Sequence, residues 1–321
     1  MSTYAKPARA GRIPDREFGY IPNPPATESF VLSLPLRLRT FAAAAPALQD
    51  DDDSDAFPYR AVAACLGIAG QRLHARNQGS VGSCVGNATA TGGDITTAGE
   101  IVCLRQPERW FAPMAADGMY GLGRDVSGNL GRGDGSYGGA AAKAMRYGTI
   151  HMVKYGEHDL TKYGVQRCRD WAARGVPDEV KAAARLHPCR TTTRLVSCEE
   201  ARAAIQNNYG LNVCSGQGFS SKRDKDGFCR ASGSWSHSMA VIGYRGKKSG
   251  RRGFLIWNSW GDNASGGPIW PDDMPWGSFW CDWDVFASML RGGDTFAYSN
   301  YDGFPRQTIN WHEELVLKLA A

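Results

Sequence analysis

The stretch RNQGSVGSCVGNATA, residues 76–90, constrains the fold more than any other part of the chain. A tight Gly/Ser turn delivers one thiol, Cys84, to the start of a segment of helical character that runs to about Leu104. Gly86, Gly92, Gly93 and Gly99 lie inside that segment, and each costs a helix roughly 1 kcal/mol relative to alanine. A helix that carries them is expected at the centre of the protein, packed on several sides. Three roles compete for Cys84: a buried structural thiol, a metal ligand, or a nucleophile at a helix N-terminus, where the positive end of the dipole favours the thiolate.

Composition narrows these roles. A chain of 321 residues can bury a core in one or two domains, and 42% hydrophobic with 21% charged residues reads as globular. The net charge of +5 is spread over the whole length without a concentrated patch, so nucleic acid is not an expected partner. No apolar run approaches the roughly 18 residues of a membrane span. The N-terminal MSTYAKPARAGRIPDREFGYIPNPP has charges but no apolar segment behind them, and reads as no signal peptide. Nine cysteines, an odd number without such a signal, are expected as free thiols in a reducing, cytoplasmic compartment rather than as a disulfide framework. CxxC and HxxxH spacings are absent, so no structural zinc is expected.

Residues 1–56 read as an irregular extension. It contains a Pro- and charge-rich segment, an Ala-rich FAAAAPALQ, and QDDDDSDAF, whose five aspartates in six positions read as a solvated loop. The domain proper is expected over 57–321. Helices are expected at 84–104, at 138–148 with Gly148 as the stop, and after Ser197, where Glu200 three residues on completes a capping box. Then the period changes. LNVCSGQGF (211–219), SHSMAVIGYR (236–245) and RGFLIWNSWG (252–261) are β-rich runs, and KKSGRR (247–252) reads as a basic hairpin loop in solvent. Helices first and strands second make an α+β protein of two lobes, about 80–210 and about 211–300.

A nucleophilic thiol needs a base, and the base needs a group to orient it. His74 lies too near Cys84 to come from an opposing lobe, while His151, His158, His187 and His312 sit in polar, loop-like contexts. His237 opens a strand, so a rigid element would aim its ring. On the partner strand Asn258 stands between Trp257 and Trp260. Its amide can accept an imidazole N–H, and an indole cover would keep water off that bond.

NQGSVGSC, HSMAVIGY and WNSWGD together resemble the corresponding segments of papain-family cysteine peptidases, of the non-secreted bacterial type. DGSYGGAAAKAMRYGTI resembles the family's cleft loop and helix, GRIPDREFGYIP resembles the segment that precedes the domain in those members, and the resemblance as a whole covers about residues 57–300. The resemblance implies a helical lobe and a β-barrel-like lobe with the active-site cleft between them. It implies Cys84 as nucleophile, His237 as base and acid, Asn258 as its orienting partner, Gln78 in the oxyanion hole, and Trp260 as shield. Gly82, Ser83, Asp134, Gly135 and Trp260 would line the substrate-binding walls, and the substrate would be a peptide or protein, hydrolysed through a Cys84 thioester with no metal or organic cofactor.

The chain departs from the family pattern at several points. Val81 stands where the family has a disulfide cysteine, the loop GRGDGSYGG carries no partner for one, and Val85 replaces a tryptophan. His237 and Asn258 lie slightly farther from Cys84 than the family spacing, which implies inserted chain within 155–190. No inhibitory propeptide of the usual helical kind is recognisable. A competing reading keeps the scaffold but makes it a structural or assembly protein, for example virion-associated. The N-terminal extension and the tryptophan-rich 270–283 stretch are then the candidate surfaces for a protein partner. On the enzymatic reading, Cys84 is expected to be the most reactive of the nine thiols.

Overall fold

The computed structural model describes residues 18–45, 48, 50–106 and 109–304. In chain order its helices are α1 (Pro25–Ser33), α2 (Leu36–Arg39), α3 (Phe41–Ala44), α4 (Tyr59–Cys65), α5 (Cys84–Val102), α6 (Ala116–Val126), α7 (Gly138–Tyr147), α8 (Val165–Arg174), α9 (Asp178–Ala184), α10 (Cys198–Gln206) and α11 (Trp283–Leu290). The strands are β1 (Lys154–Tyr155), β2 (His158–Asp159), β3 (Thr191–Arg194), β4 (Leu211–Arg223), β5 (Cys229–Arg245), β6 (Gly253–Trp257), β7 (Ser278–Asp282) and β8 (Thr295–Ser299).

The glycine-studded helix is central. Nearly all of the 19 residues of α5 are buried, and its two sides meet different lobes. Toward α6, a Cβ added to Gly86 would lie 2.5 Å from Tyr120 Cβ; toward β4, one added to Gly210 would come within 1.8 Å of the Gly92 carbonyl oxygen. Both contacts are close backbone approaches that no larger residue permits, and the packing they allow offsets the low helix propensity of glycine.

On one side, α6, α7, α8 and α9 bury Met119, Leu122, Met145, Ile150 and Val180 together. The β1–β2 hairpin, α8 and α9 fill residues 154–184, the region where inserted chain was expected. On the other side lies an antiparallel six-stranded sheet of order β3-β8-β4-β5-β6-β7, packed around Leu211, Val213, Val241, Phe254, Ile256 and Phe286. The expected barrel-like lobe is therefore an open sheet, since β3 and β7 are not paired with each other among the described residues. Register shifts along β4 and β5 curl it, but Thr40 bridges to Arg194 on β3 and occupies the edge that closure would need.

The stretch read as irregular folds onto the strand lobe. Leu34, Leu38 and Phe41, from the α1–α3 region, are buried in the same core as Tyr209 and Leu211. The aspartate run is not a solvated loop either. Asp50 pairs with Arg202 at 2.5 Å, Asp52 meets Arg202 at 2.6 Å and Arg252 at 3.0 Å as well as Lys247, and Asp55 accepts the Gly246 N–H at 2.8 Å. The acidic run and the basic loop 247–252 are each other's counter-charges, which neither segment reveals when read alone. The tryptophan-rich stretch turns inward in a similar way. Trp280 is fully buried, while Arg72, Arg245 and Arg252 lie 3.5, 4.3 and 3.7 Å over the rings of Trp276, Trp270 and Trp283. Those guanidinium groups occupy indole faces that a partner would otherwise use.

Ser197 caps α10 as expected, accepting the Glu200 N–H at 3.2 Å, but Glu200 reaches back to the Val196 N–H at 2.7 Å, one residue short of the usual box. The start of α7 is held differently. Asp294, buried, accepts the N–H groups of Gly138 and Gly139 at 2.7 and 3.0 Å. Burial pushes its carboxyl up to about 6, against those two donors and the Arg194 charge. An acid whose folded value lies above the unfolded ~3.9 takes up a proton on folding, so the carboxylate costs stability as pH rises through about 4 to 6. Denaturant unfolding of wild type and Asp294→Asn across pH 4–7 should show wild type losing up to about 3 kcal/mol relative to the variant as pH rises. A constant difference would remove Asp294 from the pH dependence.

Candidate active site

Cys84 is the first residue of α5, and its side chain is fully buried in a small cluster with Val85, Ala141 and Cys214, against which Tyr20 packs. Burial pushes the thiol up to about 12, although the backbone N–H groups of Ser238, Gly19 and Val85 favour the thiolate. Ser238 follows His237 on β5, so the strand that carries the histidine also turns a backbone N–H toward the sulfur.

His237 is fully buried, with Nε2 2.9 Å from Asn258 Oδ1. The same Oδ1 accepts the Ser259 N–H at 2.8 Å, which fixes the amide with its oxygen toward the ring. An oxygen can only accept, so Nε2 carries the proton and Nδ1 is left as the basic nitrogen. Sheet register brings the pair to one end of the sheet: Ala240 on β5 opposes Trp257 at the end of β6, and Asn258 emerges one residue beyond that strand, toward the end of β5 that carries His237. The Trp260 ring stacks on the imidazole, with centroids 4.3 Å apart and planes inclined by 21°.

Gln78 is buried, and its amide is pinned at both ends. Nε2 donates to the Val81 carbonyl at 3.0 Å and Oε1 accepts the Ser259 hydroxyl at 2.7 Å. Its backbone is held too, by the Ser259 carbonyl at 2.9 Å and the Tyr163 hydroxyl at 3.0 Å. Gly82, Asp134 and Gly135 also meet. Asp134 accepts the Gly82 N–H at 2.6 Å, the Tyr120 hydroxyl at 2.7 Å and the Gly135 N–H at 3.0 Å, which makes it a brace between the nucleophile turn and the α7 loop. Ser83 is not on that wall by its side chain. Its hydroxyl lies 2.8 Å from the Tyr163 hydroxyl and 3.1 Å from the Asn87 amide, in the interior.

The cleft is occupied by the chain's own N-terminal segment. The Tyr20 N–H donates to the Ser236 carbonyl at 3.0 Å on the strand side. On the helical side the Ser136 N–H donates to the Gly19 carbonyl at 2.7 Å, and the Ile21 N–H to the Ser136 carbonyl at 2.8 Å. Gly19 lies so close to Gly82 that a Cβ there would be 1.7 Å from the Gly82 oxygen. Phe18 sets its ring edge-on to His237 and Trp260, with centroids 6.1 and 5.8 Å away. The extension closes the site as an extended strand, although no helical propeptide is recognisable in it.

Sequence reasoning missed Ser259, Tyr163, Ser136, Ser236 and this strap. The first four act through backbone atoms or as supports for other residues, and such roles leave no pattern in a single sequence. The strap left one trace, a glycine between two aromatics in FGY. The described residues contain no group of three or more His, Cys, Asp or Glu side chains that could hold a metal ion, and all nine cysteines are free. None of the described helices is long and apolar enough to cross a membrane.

No protein-family model and no curated protein matches the sequence. The fold is similar to that of xylellain, a cysteine protease from Xylella fastidiosa, with 16% identity and a TM-score of 0.55, over 91% of this chain and 99% of that one. Weaker similarities are to procathepsin L 3 of Tenebrio molitor larval midgut (13% identity, TM-score 0.46, 88% and 83% covered) and to bromelain from Ananas comosus with the E64 inhibitor (15%, 0.42, 72% and 94%). On the first of these likenesses, this chain has the papain-like cysteine-protease fold.

The closed cleft reverses the order of thiol reactivity expected from sequence. In the native protein iodoacetamide should reach Cys103, which is exposed, and Cys65, which is half-buried, before Cys84. Gly19→Val cannot seat against Gly82, and it should raise the Cys84 rate by at least about tenfold while leaving Cys103 unchanged, as read by peptide mass spectrometry. Cys84 labelling that ignores Gly19→Val would show that the strap does not guard the thiol.

Proposed function

We propose that the chain is a papain-like cysteine peptidase that hydrolyses peptide bonds in peptide or protein substrates through Cys84. The observation that carries this reading is the His237–Asn258 pair, 2.9 Å apart under the Trp260 ring, with His237 on the strand that packs across the helix Cys84 begins. In the closed form the thiol is protonated. Once residues 18–21 withdraw, water enters, the burial that raises the thiol falls away, and the proton passes from Cys84 to Nδ1 of His237.

The thiolate attacks the substrate carbonyl carbon. The oxyanion that forms is met by Gln78 Nε2 and the backbone N–H of Cys84, and each donor in such a site is worth roughly 3–4 kcal/mol. The imidazolium gives its proton to the leaving amine, the C–N bond breaks, and a thioester remains on Cys84. Water, deprotonated by His237, then releases the acid and restores the thiol. Asn258 holds the ring, and Ser259 holds both Asn258 and Gln78. Nine free thiols and Val81 in the place of the family's disulfide cysteine favour a reducing compartment, and the cytoplasm is part of this proposal.

The test is hydrolysis of a peptide mixture by full-length Gly19→Val and by variants built on it, after each is shown to fold. Cys84→Ala should abolish turnover and His237→Ala should nearly do so. Gln78→Ala should cost roughly 100-fold or more, and Asn258→Ala should weaken turnover without abolishing it. Cys84→Ala with His237→Ala should be little worse than Cys84→Ala alone, because the two act as a unit. A folded Gly19→Val protein that cleaves nothing would favour the scaffold reading instead.

A further inference from the structure

We propose that the protein binds a small organic anion with a flat aromatic body in a cavity outside the cleft, on the half of α5 remote from Cys84. The site does not depend on the peptidase reading. The cavity has a volume of about 610 Å³, and α5 contributes Thr97, Glu100 and Ile101 to its lining. At about 1.5 Å of rise per residue, those positions lie roughly 20 Å or more along the helix from Cys84. The other walls come from the chain just before α6, from Thr149 and His151, from the turn between α9 and β3, and from the residues after β8.

Rings set the body of the ligand. Phe111 lies 4.5 Å from His151 and 5.6 Å from His187 by ring centroids, and the two imidazoles are 5.4 Å apart. Phe111 and Leu186 line the cavity yet remain 54% and 76% exposed, although both are large and apolar. A planar ring entering there covers apolar surface that the fold leaves wet, and it can stack on the rings already present. Trp110, also in the lining, has a buried Nε1 with no hydrogen-bond partner among the described residues, and the buried His151 Nδ1 has none either. An indole N–H only donates, so what it lacks is an acceptor such as a ligand oxygen.

Charge sets the other end. The carboxylates of the lining are already answered within the chain. Asp94 pairs with Arg76 at 2.6 Å, Glu100 accepts the Asn300 N–H at 3.0 Å, and Asp302 lies 3.7 Å from Arg37. Arg109 and Arg190 also line the cavity, and neither makes an ion pair among the described residues. Burial and the neighbouring His187 pull His151 down to about 4, so its ring is neutral and the positive charge belongs to the two guanidinium groups. A planar guanidinium matches the two oxygens of a carboxylate or sulfonate, repels a cation, and gains no counter-charge from a neutral ring.

Binding is read with anilinonaphthalene sulfonate, a dye that brightens on leaving water, titrated into the native full-length protein at neutral pH. Its uncharged analogue phenylnaphthylamine is titrated in parallel. Arg109→Gln with Arg190→Gln should weaken the sulfonate by at least about tenfold and shift the neutral dye by less than about twofold. Ala112→Trp, which fills the cavity, should weaken both dyes. A folded double variant that binds the sulfonate as wild type does, or Ala112→Trp without effect on either dye, overturns the proposal. Displacement from wild type needs no variant. Naphthalene sulfonate should displace the bound dye at a concentration at least about tenfold below that of naphthalene methanol, which lacks the charge, or hexane sulfonate, which lacks the ring. Equal potency of either control, or no saturable binding of the dye, overturns it as well.

Discussion

The rest of the structure depends on how closely α5 lies against both of its neighbours. Gly86 lets the helix meet Tyr120 on α6, and Gly92 with Gly210 lets its backbone touch the start of β4. Through these contacts one rigid rod is shared by the helical lobe and the sheet. Its first residue is Cys84, and the strand that packs across it carries His237. Cys84 and His237 therefore come from different lobes yet are positioned by the same helix. A side chain at Gly92 or Gly210 would push the lobes apart along the seam where the site forms, so fold and chemistry share one geometric condition.

At the centre of the site, two effects compete over one proton. Three backbone N–H groups and the helix N-terminus favour a thiolate at Cys84, while exclusion of water favours the thiol. In the closed cleft water exclusion wins, which is the ordinary outcome for a charge taken out of solvent without a full counter-charge. The segment that blocks access thus also holds the Cys84 thiol in its protonated form. Accessibility and ionisation change together because both depend on the water that residues 18–21 displace.

Much of this was legible in the sequence because it rests on local spacing. The α5 start, the Gly148 stop, the Ser197 cap and the strands bearing His237 and Asn258 follow from period, capping chemistry and turn residues. What was not legible depends on long-range pairing. The aspartates at 50–55 and the basic residues at 247–252 each look like a solvated run until they are placed opposite one another. A six-stranded sheet reads like a barrel in one dimension, since only the third shows which edges are occupied. Asp134 reads as a residue of the substrate wall because its motif lies there, whereas its oxygens serve Gly82, Tyr120 and Gly135. The supports Ser259 and Tyr163 carry no signature at all.

The placement of α1 has a kinetic consequence. Pro25 begins that helix four residues beyond Ile21; Val31 of α1 is buried in the helical lobe's core, and Leu34, Leu38 and Phe41 just after it are buried in the sheet's core. The strap therefore hangs on a very short tether, and lifting it from the cleft does not let it diffuse away. Its local concentration stays at the millimolar level or above that short linkers impose, whatever the dilution of the protein. A free peptide that enters the cleft must contend with that permanent competitor. Occupancy of the cleft then becomes a property of the single chain, insensitive to how much of it is present, unless the tether between residues 21 and 25 is cut.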